Sequence, residues 1–494
     1  MTSEQAVVRM EKREEMAAKG IDVHPDRCEI THELHEAAML EDGVSDIAVA
    51  GRVRSIRHMG QIVFVTIQSV RGRLQLFVRK DELGEGSFDA FIQYVDTGDW
   101  IGASGTMFTT KAGEKTLRVV GYQFLGKSLH PMPDKWSGMT NTELRYRYRY
   151  LDMWLSDETS SRLLRRTSML RSLRAFLDNK GFLEVDTPIL QHSASGALAK
   201  PFVTHHHALG QDMYLRIAPE TYLKRLVAGG FTKLYEVAKC FRNEGISPQH
   251  LQEFTMVEGY SAFENYEDAM ALIQEMLQYL LSETFGTLSF SIGGEWIDFS
   301  EPWLTVTFRE LILEKTGIDI DCYPTVEELH AETLRKHIRL EHEAIETLGR
   351  GNYIDLLYKK ACRPYLMRPT FLIEHPIDLS PLARANDERP AVTDRFQLVL
   401  CGAEIVNAYS ELVDPLEQRA RLEQQALLKS GGDVEAMGMD EDYLRAMEYG
   451  MPPIAGWGFG IERLLMIVTD SPNIKECVYF PLVRSMEGED DESR

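Results

Sequence analysis

From Ser45 to Ser128 the chain returns again and again to one pattern: short runs in which apolar and polar residues alternate, separated by glycine-bearing breaks. The runs are DIAVAGRVRSIRHMG (46–60), QIVFVTIQSV (61–70), RLQLFVRK (73–80, after a turn at Arg71-Gly72), DWIGASGTMFTT (99–110) and KTLRVVGYQFLGKS (115–128). A period of two sends successive side chains to opposite faces, and the β-branched and aromatic content suits strands. Five such runs in succession predict a small closed β-barrel. An oligonucleotide-binding (OB) barrel fits, and the alternation alone leaves other barrels open.

A chain of 494 residues is too long for one ordinary domain. HPMPDKWSG (130–138) is a Pro- and Gly-bearing linker, so a boundary is expected near 135. Residues 1–40 read as one or two short polar helices, 41–135 as the barrel and 136–494 as a second, larger α+β domain. In that domain SRLLRRTSMLRSLRAFLDNKG (161–181) predicts an amphipathic helix stopped by Gly181. Strand-like pieces follow at 182–190, 212–218, 233–243 and 253–263, then a helix over 265–286. A charged helical insert spans about 325–362. FQLVLCGAEIVNAYSELVDP (396–415) and PPIAGWGFG (452–460) read as two further strand-like runs, with a last helix from about Ile461 and a frayed acidic tail, MEGEDDESR.

A net charge of −22 argues against a nucleic-acid partner for the chain as a whole. Phosphate binding depends on local patches, however. Arg145, Arg147, Arg149, Arg162, Arg165, Arg166, Arg171 and Arg174 crowd one stretch. On charge alone they read first as a solvated helix face with salt bridges. No apolar run is long enough to cross a membrane, and the N-terminal stretch lacks an apolar signal core. The six cysteines show neither CxxC pairs nor zinc spacing. They suit small core residues in a reducing compartment, so a cytoplasmic location is expected.

Two blocks carry chemistry. KLYEVAKCFRNEGISPQHLQEFTMVEGY (233–260) reads as strand, loop, strand. Period two puts Arg242 and Glu244 on one face, and Phe254, Met256, Glu258 and Tyr260 on one face of the second strand. Burying Arg, Glu and Tyr together is costly unless something ligates them. The loop with Ser247 and His250 suits a cover over a polyphosphate; a hairpin with a solvated polar side is the plain alternative. GWGFGIERLLMIVTD (456–470) is a poor dinucleotide fingerprint, because no acidic residue follows a strand at the right distance. A Gly-rich strand passing close to a flat ligand, feeding a helix that carries Arg463, fits better.

These two blocks resemble motifs two and three of the class II aminoacyl-tRNA synthetases, and GFLEVDTPIL (181–190) resembles motif one. Within that class the chain is similar to the lysyl-tRNA synthetases over nearly its whole length. The strings that carry the likeness are RYRYRYLD (145–152), AKPFVTHHHALGQDMYLRIAPETYLKRL (199–226), FRNEG (241–245), HPIDLSPLAR (375–384), EIVNAYSELVDPLEQR (404–419) and MPPIAGWGFGIERL (451–464). The resemblance implies a six-stranded antiparallel sheet flanked by helices, and a homodimer built partly through the motif-one region and Pro188. It implies ATP-dependent activation of lysine to lysyl-adenylate and its transfer to tRNA(Lys), with Mg²⁺. By the same resemblance, Arg242 would hold the α-phosphate and the lysine carboxylate, and Glu244 the adenine or ribose side. His250 would meet the terminal phosphates, while Phe254 and Arg463 would sandwich the adenine. Gly196, Glu220, Glu258, Tyr260, Asn407, Tyr409 and Glu411 match the lysine pocket, where ammonium groups offset buried acids. Glu404 matches a metal ligand. Strict alternation puts Glu404 opposite to Asn407, Tyr409 and Glu411, so a β-bulge is expected between them. In the barrel, Phe64, Gln75 and Glu114 match positions that read the anticodon by stacking and edge contacts.

The likeness has departures. Gln397 stands where the family usually has a second metal-binding Glu, which removes a negative charge and predicts weaker Mg²⁺ binding or loss of one ion. Leu251-Gln252 replace a common Asn-Pro, which predicts a looser motif-two loop. Lys200 stands for an Arg and Gln61 for a Lys. An aspartyl- or asparaginyl-type ligase, a catalytically idle RNA-binding paralogue and a lysyl transferase acting on protein are the rival readings. The pocket glutamates speak against the first, the intact Arg242, Glu244, Phe254, Glu404 and Arg463 against the second, and the barrel against the third.

Overall fold

The computed structural model describes residues 4–132, 139–193, 196–197, 199–340, 348–430 (side chains to 427) and 439–484. Most of the expected linker and the acidic tail lie outside them. The chain divides into two compact units, Met1–Ser160 and Ser161–Arg494.

In the first unit, β1 (Ile47–Met59), β2 (Ile62–Gln68), β3 (Arg73–Arg79), β4 (Trp100–Thr109) and β5 (Lys115–Gly126) close into a barrel in the order β1-β2-β3-β5-β4. β1 pairs antiparallel with both β2 and β4, and β3 runs parallel to β5. The inward residues of each alternating run, among them Val49, Val63, Val65, Leu76, Val78, Leu117 and Val119, form its core. The sequence reading did not foresee the helix Glu85–Tyr94 in the connection from β3 to β4, which buries Phe88, Phe91 and Tyr94 against that core. The helix Glu4–Ala18 precedes the barrel, tied down by Met16.

Residues 139–160 belong to the same unit as the barrel. The Arg54 guanidinium donates to the Trp154 carbonyl at 3.1 Å, and Arg52 lies 4.9 Å from the centroid of the Trp154 ring. This cation–π and hydrogen-bond anchor packs residues up to Ser160 with the barrel in one compact unit. The arginine-rich stretch is largely spent on ion pairs. Arg149 meets Asp152 at 2.6 Å, Arg162 meets Glu476 at 3.2 Å, Arg166 meets Glu462 at 2.7 Å and Arg174 meets Glu184 at 2.9 Å.

The second unit is built on β6 (Leu183–Glu184), β7 (Leu190–Gln191), β8 (Val203–His206), β9 (Gln211–Leu215), β10 (Lys233–Phe241), β11 (Glu253–Ala262), β12 (Ser289–Ile292), β13 (Glu295–Asp298), β14 (Leu304–Thr307), β15 (Thr370–Pro376), β16 (Val392–Leu400), β17 (Ala403–Ser410) and β18 (Ile454–Gly460). Eight of them form the main sheet, in the order β14-β15-β16-β17-β18-β11-β10-β6. The six central strands are antiparallel, and the edge strands β14 and β6 run parallel to their neighbours. The expected single strand over 182–190 is instead two dipeptides in different sheets, because Pro188 lacks an amide donor. The run 396–415 is a hairpin, turned at Cys401 and Gly402, whose φ values of 49° and 69° reverse the chain.

One face of this sheet is covered by the helix Tyr266–Phe285, whose Ile273, Met276, Leu277 and Leu280 pack on Val257, Val406, Ala408 and Phe459. The opposite face carries the polar members of the same alternation. The insert contributes helices Val326–Arg335 and Arg350–Ala361, with Leu329, Tyr353, Ile354 and Leu357 in a core of their own; residues 341–347 lie outside the described ones. All six cysteines are free thiols.

Candidate active site

The uncovered face of β11, β17 and β18 opens into a cavity of about 720 Å³. It brings together every residue matched above to ATP, lysine or metal: Gly196, Glu220, Arg242, Glu244, His250, Phe254, Glu258, Tyr260, Gln397, Glu404, Asn407, Tyr409, Glu411 and Arg463 all line it. On β11 the period of two is kept, so Phe254, Met256, Glu258 and Tyr260 face the cavity while Val257 faces the helical core.

The expected bulge is present. Leu398 pairs with Val406 and Val399 with Glu404, so Ile405 is the extra residue. That single insertion brings Glu404 to the same cavity as Asn407, Tyr409 and Glu411.

At one end of the cavity, Arg242 follows β10, its amide bonded to the Gln252 carbonyl at 2.9 Å, and its guanidinium lies 5.1 Å from the centroid of the Phe254 ring. Arg463, at the start of the helix Ile461–Val468, donates to the Glu404 carbonyl at 2.9 Å. Its burial lowers its pKa, with Glu404 opposing. His250 is held by Ser247 at 2.7 Å, and partial desolvation with the nearby Arg463 lowers its pKa. The loop is anchored by Leu251, which packs in the main core and so counters the loosening expected from the missing proline.

At the other end sit three buried carboxylates. Glu220 accepts from the Tyr409 hydroxyl at 2.5 Å, and Glu258 from the Tyr260 hydroxyl at 3.3 Å. Burial pushes the Glu258 carboxyl well above its usual range, reinforced by Glu220. Burial likewise lifts Glu411 to about 8, with Lys224 pulling the other way. Two glycines make room for these acids. A Cβ on Gly456 would come within 2.1 Å of Glu411 Oε1, and Gly196, at φ +85°, sits against the Glu220 Cβ.

Several residues in and around the cavity escaped the sequence reading. Lys224 is fully buried, 2.6 Å from Glu220 and 2.5 Å from Glu411. The i, i+4 spacing of Glu220 and Lys224 on one helix was the available signal. Arg395 donates to Asn407 at 2.9 Å and to Ser380 at 2.8 Å, fixing the amide that lines the pocket. Glu462 binds the Thr255 amide at 3.0 Å as well as Arg166, which ties the last helix to β11.

Gln397 donates its amide to Glu404 at 2.8 Å. Among the described residues no group of three or more His, Cys, Asp or Glu side chains is placed to hold a metal. On the barrel, Gln75 donates to Glu114 at 3.0 Å at a recess of about 470 Å³ that also includes Arg54, Arg73 and Lys115. Phe64 is paired with Phe77 across β2 and β3, with ring centroids 5.0 Å apart.

A sheet with six central antiparallel strands, a cavity lined by arginines and glutamates, and a five-stranded barrel are the parts of a class II aminoacyl-tRNA synthetase. Residues 141–484 match the family of tRNA synthetases class II (D, K and N), and 47–125 match the OB-fold nucleic acid binding domain. The chain is 42% identical over 482 residues to a lysine–tRNA ligase of Moorella thermoacetica, covering 97% of this chain and 98% of the relative. It is 41% identical over 494 residues to that of Thermosipho africanus, covering 98% and 97%. Against that of Aquifex aeolicus it is 45% identical over 439 residues, covering 89% and 73%. The chain belongs to the lysine–tRNA ligase family of class II synthetases.

Proposed function

We propose that the chain activates lysine with ATP to lysyl-adenylate, releases pyrophosphate, and passes the lysyl group to the 3′-terminal ribose of tRNA(Lys). The observation that carries this reading is the set Glu220, Glu258 and Glu411, buried around one end of a cavity whose other end holds Arg242 and Arg463. A substrate with two ammonium groups, together with the buried Lys224, compensates three buried acids, and the arginines suit a carboxylate and phosphates.

The reaction is in-line attack of the lysine carboxylate on the α-phosphorus of ATP. Two anions must approach, so positioning and charge neutralisation do most of the work and no side-chain nucleophile is needed. Arg242 would bridge the lysine carboxylate and the α-phosphate. Phe254 and Arg463 would hold the adenine between a ring and a guanidinium, Glu244 would take its polar edge or the ribose, and His250 would meet the terminal phosphates. Gly196, Tyr260, Asn407 and Tyr409 would frame the amino acid.

Mg²⁺ suits a site of one carboxylate completed by nucleotide phosphates and water, so Glu404 fits it, with Gln397 as a neutral neighbour in place of a second acid. When bound, it would supply positive charge to the phosphates.

Phe64, Gln75 and Glu114 are proposed to receive anticodon bases. A homodimer is supported by exposed apolar residues in and next to the motif-one stretch. Leu183 and Phe263, at 56% and 73% exposed, share a recess with Phe231. No described helix is long and apolar enough to cross a membrane; charging tRNA is work for the cytoplasm. Pyrophosphate exchange with single amino acids tests the reading. Lysine should support exchange and charging of a lysine-accepting tRNA, whereas exchange driven by aspartate or asparagine instead would overturn it.

A further inference from the structure

The buried ammonium of Lys224 is a charge the reaction itself does not use. It projects from the helix Glu220–Ala228 and lies between Glu220 and Glu411, under the rings of Tyr409 and Tyr443 at 5.5 and 5.7 Å from their centroids. Its side chain is 0% exposed. The cavity would therefore contain three carboxylates and one fixed cation at its acidic end. Arg242 is near enough to pull the Glu258 carboxyl down, but in the reading above it is taken by the substrate carboxylate and the α-phosphate, and Arg395 is turned to Asn407, Leu379 and Ser380.

Resting on the reading of this end as the lysine pocket, we infer that Lys224 is a specificity-determining positioning residue, a built-in counter-ion that cancels one of the three acids. Two uncompensated negative charges then face a substrate whose α- and ε-ammonium groups carry two positive ones. A buried site tolerates little net charge, so the match in number selects for a dicationic amino acid. The ion pair also aligns the acids. Glu220 Oε1 is taken by Lys224 and by the Tyr409 hydroxyl, which leaves its second oxygen for a substrate ammonium. Burial raises the carboxyls of Glu258 and Glu411, while the Lys224 ammonium is held charged by Glu220 and Glu411 against its own desolvation.

A charge cycle tests this: Glu411→Gln, Lys224→Met and the double variant, with lysine KM, ATP KM and kcat read in pyrophosphate exchange. Glu411→Gln leaves a single uncompensated charge and should raise lysine KM by about thirtyfold or more, with ATP KM unchanged. The double variant returns the count to two. It should recover lysine KM at least about tenfold relative to Glu411→Gln, although it lacks one more native side chain. Lys224→Met alone leaves three buried acids. It should either bind lysine weakly or unfold at lower temperature, and the double variant should rescue whichever defect appears. A double variant no better than Glu411→Gln overturns the charge-matching role while leaving the lysine pocket standing. An unchanged lysine KM in Glu411→Gln overturns the pocket assignment itself.

Discussion

Substituting Gly456 by alanine tests the pocket without removing a charged group. The new Cβ would sit 2.1 Å from Glu411 Oε1 and 2.6 Å from Tyr260 Cε1, both far inside van der Waals contact. Gly456 lies in β18, paired to Tyr260 of β11 on one side and Tyr409 of β17 on the other, so the backbone has little room to retreat. The Glu411 carboxylate must therefore shift by about 1 Å to regain ordinary contact. A shift of that size away from Lys224, starting from 2.5 Å, weakens the pair by roughly 2 kcal/mol at an effective dielectric of about 20. The same displacement carries the carboxylate off its position for a substrate ammonium. Lysine KM should rise roughly thirtyfold, at about 1.4 kcal/mol per tenfold, with ATP KM little changed. Gly458→Ala meets only the Glu258 Cγ at 3.1 Å and should show a smaller effect. Steady-state pyrophosphate exchange on folded protein gives both constants. A Gly456→Ala enzyme with wild-type lysine KM, or one less affected than Gly458→Ala, would refute the reasoning.

Gln397→Glu places a second carboxylate beside Glu404, so the Mg²⁺ midpoint for activity should fall; identical midpoints in a titration against wild type would count against the reading of that site. Because burial holds the Glu411 carboxyl up to about 8, it is largely protonated in the empty pocket at neutral pH. Lysine binding needs it ionised, so lysine KM should fall between about pH 6.5 and 8.5; a flat or rising profile contradicts this. Leu251→Ala should lower stability by about 2 kcal/mol in denaturant unfolding and raise ATP KM through the released loop, and a change in neither would show that Leu251 anchors nothing. Glu462→Gln removes the carboxylate that pairs with the half-buried Arg166, leaving Arg166 its bond to the Thr255 hydroxyl, and weakens the bond to the Thr255 amide. It should cost about 3 kcal/mol of stability, and a loss under about 1 kcal/mol would show that the tie is not structural.

Residue order alone determined the local and the periodic. Alternation marked the five barrel strands and the faces of β11, and the run from Lys233 to Tyr260 declared itself as strand, loop, strand. The motif strings also picked out the candidates for ATP, lysine and metal that the fold gathers into one cavity, since those residues recur as local patterns. What only the tertiary structure decided depends on partners distant in the chain. Lys224 was invisible as a counter-ion because Glu411 reaches it across the β17–β18 side of the sheet, and no local pattern reports a charge pair 187 positions apart. The bulge at Ile405 was called for by chemistry, but its place follows from the register against β16. That residues 139–160 pack with the barrel was also hidden from the sequence, because it rests on Trp154 meeting Arg52 and Arg54 about a hundred positions away. Charge alone left the arginine-rich stretch open between a phosphate surface and a set of ion pairs, and acids as far along the chain as Glu476 decide for the pairs. Periodicity encodes which face a side chain takes; which groups meet across that face is set by strand pairing and burial, and these exist only once the chain has closed on itself.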